Sequence, residues 1–123
     1  MILGLGIDIV HVGRIRHWDS VPGLVERYFH PDEISDARAR GSGACLSLAA
    51  RFAAKEAFGK ALGTGLAGMR LGDIQVVNDR NGRPEIVLHG TALARFTAFG
   101  GSRVHVSLTH ESDNAVAVAV IEG

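Results

Sequence analysis

A single carboxylate lies among cations in the middle of this chain. The segment RFAAKEAFGKALGTG, residues 51–65, carries the only two lysines, Lys55 and Lys60. Across residues 37–72 the only acidic residue is Glu56, against six basic residues, so the interval has a formal charge of +6 − 1 = +5 while the whole chain has a formal net charge of +0. Any anion-binding site of this neutral chain is therefore expected in this local cluster.

The spacing within the cluster has two interpretations. Glu56 and Lys60 are four residues apart, which places both on one face of a helix. An exposed ion pair at this spacing stabilises a helix by about 0.3 kcal/mol. However, the surrounding residues are apolar almost all round, and a buried charge is costly unless it is paired or binds a metal. Gly59, Gly63 and Gly65 also allow close approach of a bulky group.

Asp8 is a second unusual carboxylate, because it interrupts the apolar strand LGIDIV. Strand alternation places Gly4, Gly6 and Asp8 on one face, which would leave room beside the carboxylate. A solvated face and a functional carboxylate are equally good interpretations of Asp8. Together with Glu56 it offers hard oxygen ligands, and the chain has no Cys/His cluster typical of zinc. A metal site would thus suit Mg²⁺, completed by phosphate oxygens and water.

A third polar group lies in the segment HVSLTH near the end of the chain. His105, Ser107 and Thr109 alternate to one face of a predicted strand. A solvated sheet face is the favoured interpretation, and the lining of a cleft is the alternative. Ser107 lies in no nucleophile elbow, and the segment GTGLAG is not followed by the Gly-Lys-Ser/Thr of a phosphate-binding loop. Serine hydrolase and nucleoside triphosphatase motifs are therefore not supported.

Length and composition limit the class of protein. A chain of 123 residues predicts a single domain over residues 1–123. The only cysteine, Cys45, excludes an internal disulfide and fits a reducing cytoplasm. Zero net charge argues against a general nucleic-acid binder, and no apolar run approaches the ~20 residues of a membrane span. The N-terminal segment lacks the basic start of a signal peptide and is expected to form a strand.

The elements that must position these residues predict an α+β fold with a mostly antiparallel sheet packed on a long buried central helix. Residues 44–62 predict that helix, because Ala and Leu dominate and no proline or β-branched residue occurs. Other predictions are a first strand at 2–10, a loop at 20–23 with a helix start at Pro22, a helix capped by Asp32, a hairpin around Asn81-Gly82, a helix at 91–99, and strands at 104–110 and 115–122.

Four blocks of the sequence resemble the holo-acyl-carrier-protein synthase family, the short type of 4′-phosphopantetheinyl transferase. In chain order they are GLGIDIV, RFAAKEAFGKALGTG, DIQVVNDRNGRP and HVSLTH. The blocks span nearly the whole chain. Three departures concern details. The chain has ESDNAV where the family often has Ser and an aromatic residue, Gly59 where it often has Ser or Ala, and a weak match at residues 30–45.

The resemblance implies roles for individual residues. Asp8 and Glu56 correspond to Mg²⁺ ligands of the family, and Lys60 to a lysine near the pyrophosphate of coenzyme A. Arg51 and His105 are candidates for its nucleotide end, including the 3′-phosphate. The implied reaction moves 4′-phosphopantetheine from coenzyme A to a serine of apo-acyl carrier protein. Glu56, or a water on the metal, is the candidate base.

The resemblance also implies partners and assembly. Acyl carrier proteins are acidic, so a basic docking surface is expected. Arg14 and Arg16, in the acid-free run at residues 11–17, are the candidates, and an ordinary solvated face is the alternative. Family members of this length are usually cytoplasmic homotrimers with active sites between subunits, acting in fatty acid or polyketide biosynthesis. Two other classes stay open, namely a non-catalytic phosphate- or nucleotide-binding module and an assembly domain in which the charges only pair.

Overall fold

The computed structural model describes residues 1–123, which form five strands and five α-helices. The strands are β1 (Ile2–His11), β2 (Ile74–Asn78), β3 (Pro84–Leu88), β4 (Arg103–Glu111) and β5 (Asn114–Glu122). The α-helices are α1 (Val12–Asp19), α2 (Leu24–Tyr28), α3 (Pro31–Arg38), α4 (Ala44–Ala61) and α5 (Gly90–Ala98). Short 3₁₀ turns cover Gly41–Gly43 and Leu71–Asp73.

All strand pairs are antiparallel, and the predicted α+β class is confirmed. One sheet has the order β1-β5-β4, and β2 and β3 form a separate hairpin. Helix α4 packs against the inner face of the three-stranded sheet, where the small side chains of Ala115, Ala117 and Ala119 are fully buried. The predicted central helix is thus correct in both length and place. No helix has the combination of length and apolar character that crossing a bilayer requires.

Helix α4 approaches β1 at two glycines. A Cβ atom at Gly4 would overlap the carbonyl oxygen of Ala61, and one at Gly6 would overlap that of Ala57. The space beside Asp8 that these glycines were expected to leave for a ligand is therefore filled by helix backbone. Their physical role is to let the strand that carries Asp8 lie directly on the helix.

The helical boundaries before α4 differ from the predictions. Helix α1 starts directly after β1, where no helix was predicted. Helix α2 begins at Leu24 rather than at Pro22, because Gly23 adopts a left-handed conformation with φ of 81°. Helix α3 is capped by His30 and not by Asp32: the His30 ring accepts a hydrogen bond from the Asp32 amide, and Glu33 completes the capping box.

The most deeply buried charges are those of Lys55 and Glu33, which are 2.6 Å apart and fully buried. Lys55 Nζ also donates to the carbonyl oxygens of Leu71, at 2.8 Å, and Ile74, at 2.5 Å. Glu33 accepts from the backbone amide of Val76 at 3.1 Å. Burial lowers the pKa of Lys55, and the neighbouring Glu33 carboxylate opposes that shift. This pair joins α3, α4 and β2.

The outer face of the three-stranded sheet is apolar and open. Leu5, Ile7 and Ile9 of β1 are 65%, 60% and 62% exposed. They pair with Val120, Val118 and Val116 of β5, which are half-buried. A contiguous apolar patch of this kind on a small protein marks an interaction surface.

Replacing Lys55 by Met should destabilise the fold strongly. The substitution leaves the Glu33 carboxylate buried without its cation, which costs about 3–5 kcal/mol of unfolding free energy. Lys60→Met is the matched control, since Lys60 is 53% exposed; its effect should stay within about 1 kcal/mol. Urea denaturation measures both. Equal losses in the two variants would contradict the structural role assigned to the buried pair.

Candidate active site

Strand β1 and helix α4 bring Asp8, Glu56 and Lys60 to one place. Lys60 Nζ donates to Asp8 Oδ1 at 3.0 Å and to the carbonyl oxygen of Ile7 at 3.0 Å. Its cation therefore pairs with Asp8 across 52 residues of sequence, rather than with Glu56 one helical turn away. The exposed i,i+4 pair that the spacing allowed is not formed. Lys60 instead ties the end of α4 to the strand.

Glu56 is the half-buried carboxylate of this group. Burial raises the pKa of Glu56, and the nearby Asp8 carboxylate raises it further, while the positive charges of Arg14 and Lys60 act in the opposite direction. The negative charge on Glu56 is thus incompletely compensated by the protein. A cation between the two carboxylates would relieve both their repulsion and the cost of burial.

The donor set of the site fits a hard divalent cation. Asp8 and Glu56 offer only carboxylate oxygens, and the structure has no group of three or more His, Cys, Asp or Glu side chains arranged to hold a metal ion. Two protein carboxylates with the remaining positions left to water and phosphate oxygens are typical of Mg²⁺. Zinc sites typically include histidine nitrogen or cysteine sulfur donors, which this site lacks.

Arg14 lies at the rim of the same site, whereas Arg16 does not share its surroundings. The Arg14 guanidinium packs at 5.1 Å from the ring centroid of Trp18 and 5.2 Å from that of Phe52. These cation–π contacts hold it near Glu56, whose pKa it influences. Arg16 is exposed, and a separation of two residues places it on another face of α1. Arg14 and Arg16 were grouped as candidates for one docking surface, and in the structure their side chains have different surroundings.

The structure does not bring Arg51 and His105 together within one chain. Arg51 is only 4% exposed, and its guanidinium is held by Asp36 at 2.5 Å and the carbonyl oxygen of Val76 at 2.5 Å. His105 Nε2 lies 2.5 Å from a carboxylate oxygen of Glu122, and this hydrogen bond lowers the pKa of Glu122. The two candidates line different cavities.

Sequence reasoning missed His110. It lines a cavity of about 430 Å³ together with Arg51 and the exposed Arg40. The signal was present in the strand alternation, because His110 shares the inner face of β4 with Val106 and Leu108 and therefore points toward α4. The cavity thus has three basic side chains in its wall.

Gly59 and Gly65, two of the glycines that were expected to admit a bulky group, contact each other instead. A Cβ atom at Gly59 would lie 2.7 Å from the carbonyl carbon of Gly65, and the Gly65 amide donates to the Gly59 carbonyl oxygen at 3.0 Å. Gly59 is therefore a contact point for the loop that follows α4. That loop lies directly beside the turn of α4 that carries Lys60.

Comparison with known proteins supports one family. The model of the 4′-phosphopantetheinyl transferase superfamily matches residues 4–120. The holo-[acyl-carrier-protein] synthase of Treponema denticola is 56% identical over 123 residues, which cover 100% of both chains. That of Treponema pallidum is 48% identical and covers 100% of this chain and 98% of the relative.

Solved structures agree with this result. The holo-[acyl-carrier-protein] synthase of Neisseria meningitidis has a TM-score of 0.90 at 34% identity and covers 100% of each chain. The Helicobacter pylori holo-[acyl-carrier-protein] synthase in complex with coenzyme A has a TM-score of 0.83 at 29% identity and covers 96% of this chain and 99% of that one.

The fold and the sequence therefore define a phosphopantetheinyl transferase. Two carboxylates and a lysine between β1 and α4 are compatible with that class of enzyme. Within it, the chain belongs to the holo-[acyl-carrier-protein] synthase family.

Proposed function

We propose that this enzyme transfers the 4′-phosphopantetheine group of coenzyme A to a serine hydroxyl of an apo-acyl carrier protein, with Mg²⁺ as cofactor and adenosine 3′,5′-bisphosphate as the other product. The observation that carries the proposal is the convergence of Asp8, Glu56 and Lys60 from β1 and α4. Relatives solved with coenzyme A, from Helicobacter pylori and Bacillus anthracis, support the choice of donor substrate.

Lys60 is the proposed phosphate partner. An ammonium group has three donors, and two of them are used by Asp8 and by the carbonyl oxygen of Ile7. The third remains available, and the side chain is 53% exposed. Lys60 can therefore donate to a diphosphate oxygen as a point charge without losing its own anchor.

Asp8 and Glu56 are the proposed Mg²⁺ ligands. When bound, Mg²⁺ supplies positive charge that offsets the charge developing on the diphosphate. The serine hydroxyl forms the new bond to phosphorus while the bond from that phosphorus to the bridging oxygen breaks, so the nucleotide leaves with the electron pair. The serine proton needs an acceptor, and the Glu56 carboxylate, which lies close to Asp8 and Lys60, is the proposed one. A water molecule between the two carboxylates is the alternative acceptor.

The nucleotide end of coenzyme A is proposed to enter the cavity of Arg40, Arg51 and His110. Arg40 and His110 are exposed there, whereas three hydrogen bonds already hold the Arg51 guanidinium, so Arg51 contributes mainly as part of the wall. His105 lies apart from Arg51 in one chain. Both can serve a single ligand only where two copies of the chain meet.

A homotrimer with active sites between subunits is the proposed assembly. The outer sheet face of Leu5, Ile7 and Ile9 supplies an apolar surface for self-association. The number three comes from the family resemblance alone. The same resemblance is the ground for proposing one transferase domain over residues 1–123, a cytoplasmic location and a role in fatty acid or polyketide biosynthesis.

Mass spectrometry of apo-acyl carrier protein, incubated with this protein, coenzyme A and Mg²⁺, tests the reaction. Wild-type protein should add one phosphopantetheine. Asp8→Asn and Glu56→Gln should lose the mass gain nearly completely, because a neutral amide is a poorer Mg²⁺ ligand than a carboxylate. Glu26→Gln, a change at an exposed carboxylate of α2 away from the cavities of Arg51 and His105, is the control and should keep wild-type activity. Full activity of Glu56→Gln at limiting Mg²⁺ would contradict the ligand assignment.

Thermal shift distinguishes the alternative classes. The transferase should be stabilised by coenzyme A more strongly with Mg²⁺ than without it. A nucleotide-binding module would respond equally in both conditions, and an assembly domain would respond in neither. No mass gain with wild-type protein would reject the proposed reaction itself.

Arg16→Glu should raise the KM for acyl carrier protein at low salt and leave kcat unchanged, because an exposed charge mainly steers encounter with an acidic partner. Arg14→Glu should raise that KM and also lower kcat, since Arg14 lies beside Glu56. Steady-state kinetics at two ionic strengths measure both, and salt should reduce the difference from wild type. Arg80→Glu, in the hairpin turn, is the control. An unchanged KM in both variants would place carrier docking elsewhere.

Leu5→Lys should prevent self-association. Lysine in the apolar outer face must either be buried unpaired or keep the subunits apart. Sedimentation velocity should show a trimer for wild type and a monomer for Leu5→Lys. Val87→Lys, which changes a residue 39% exposed on the separate hairpin, should remain trimeric. A monomeric wild type at micromolar concentration would reject the proposed assembly.

A further inference from the structure

The loop between α4 and the 3₁₀ turn at Leu71–Asp73 contains a contact that the proposed chemistry does not explain. Residues 63–69, called the glycine-rich loop below, include Gly63, Gly65 and Gly68 with φ of 81°, 66° and 78°. Only glycine adopts this left-handed region without strain. Each such glycine also increases the conformational entropy that must be lost when the loop becomes ordered. An ordered loop of this composition therefore needs contacts from outside.

The glycine-rich loop lies against the catalytic end of α4. Its Gly65 amide donates to the carbonyl oxygen of Gly59, the residue before Lys60, at 3.0 Å. Four backbone amides of the loop donate to no protein acceptor; they belong to Thr64, Leu66, Ala67 and Gly68. The position of the loop thus decides where four free donors lie relative to the Lys60 ammonium.

Arg95 of α5 holds this loop from the other side. Its Nη1 donates to the carbonyl oxygen of Ala67 at 2.6 Å and to Thr64 Oγ1 at 3.3 Å. Its Nη2 lies 2.6 Å from the position that a Cβ atom of Gly68 would take, so the guanidinium occupies the space where a side chain would otherwise stand. Arg95 forms no ion pair with any carboxylate, unlike Arg38, Arg40 and Arg51.

The helix backbone that carries Arg95 is held in place by its neighbours. The neighbouring Phe96 is 8% exposed and belongs to the core cluster that also contains Phe58 of α4. At the start of α5, Asp73 accepts hydrogen bonds from the Thr91 amide at 2.9 Å and from the Thr91 hydroxyl at 2.7 Å. The guanidinium is therefore presented to the loop from a helix that is fixed at both its start and its middle.

We propose that Arg95 is a positioning residue, which holds the glycine-rich loop beside Lys60 and thereby sets the affinity for coenzyme A. The part that concerns coenzyme A rests on the proposed function. A planar guanidinium can donate to a carbonyl and a hydroxyl at once, which a lysine ammonium on a flexible stem cannot reproduce at the same cost in entropy. Without this contact the loop occupies its ordered position for a smaller fraction of the time. The apparent Kd then rises in inverse proportion to that fraction.

The test uses Arg95→Ala and Arg95→Lys, with Arg80→Ala as the control for loss of an exposed arginine without an ion pair. Hydrogen exchange of the ligand-free protein, followed by NMR at the hydrogen-bonded amides of Gly65 and Met69, should be faster in Arg95→Ala and unchanged over the core of α4. Losing a charged hydrogen bond should raise the KM for coenzyme A about tenfold, with little change in kcat or in the KM for acyl carrier protein. Arg95→Lys should restore part of both effects, and Arg80→Ala should match wild type.

The outcomes separate the two parts of the proposal. Wild-type exchange at the Gly65 and Met69 amides in Arg95→Ala would overturn the role of Arg95 in holding the loop, whatever the enzyme transfers. Faster exchange with an unchanged KM for coenzyme A would overturn the link to substrate affinity. A general rise in exchange over the whole chain would show that Arg95 only stabilises the fold, which also overturns the proposal. If wild-type protein transfers nothing, the proposed function fails, while the exchange measurement still decides whether Arg95 holds the loop.

Discussion

The close contact between β1 and α4 is the constraint on which the candidate site depends. Asp8 comes from the strand, and Glu56 and Lys60 come from the helix, so the separation of the two backbones sets the distances from Asp8 to the other two side chains. Gly6 permits that separation, because a Cβ atom there would overlap the carbonyl oxygen of Ala57. The buried alanines of β5 serve the same purpose across the rest of the helix face. The proposed metal site would have little tolerance for displacement, since each of its two carboxylates would supply half of what the protein contributes.

The buried ion pair fixes how α4 is rotated about its axis. Lys55 points into the core and meets Glu33, and the next residue, Glu56, is turned by one helical step toward β1. Apolar packing contributes to the same rotation through the buried side chains of Leu48, Phe52 and Phe58. A lysine that must reach one carboxylate and two carbonyl oxygens accepts only one orientation. We interpret the pair as a source of conformational specificity, in line with its cost in desolvation.

Sequence reasoning succeeded where a local pattern carries the information. The composition of residues 44–62, the alternation in the last two strands and the Asn81-Gly82 turn are all local, and each predicted element exists. It failed where the partner lies far away in sequence. The spacing allowed an ion pair of Lys60 with Glu56, four residues away, as one of two interpretations, and Lys60 pairs with Asp8 instead. The burial of Lys55 was not predicted, because nothing in the neighbouring sequence indicates that Glu33 will be buried against it.

Strand β1 has two different tasks, one on each face. Its inner face carries Gly6 and Asp8 against α4, and its outer face exposes Leu5, Ile7 and Ile9. Because side chains alternate with a period of two, a slip of one residue in the pairing with β5 would turn Asp8 outward and an apolar residue toward Lys60. The site within one chain and the proposed contact between chains are thus specified by the same register. A strand under both requirements gains register specificity from each, because either face alone would be wrong after a slip. This physical coupling gives a reason why a chain this small could combine the candidate site with the proposed contact between chains.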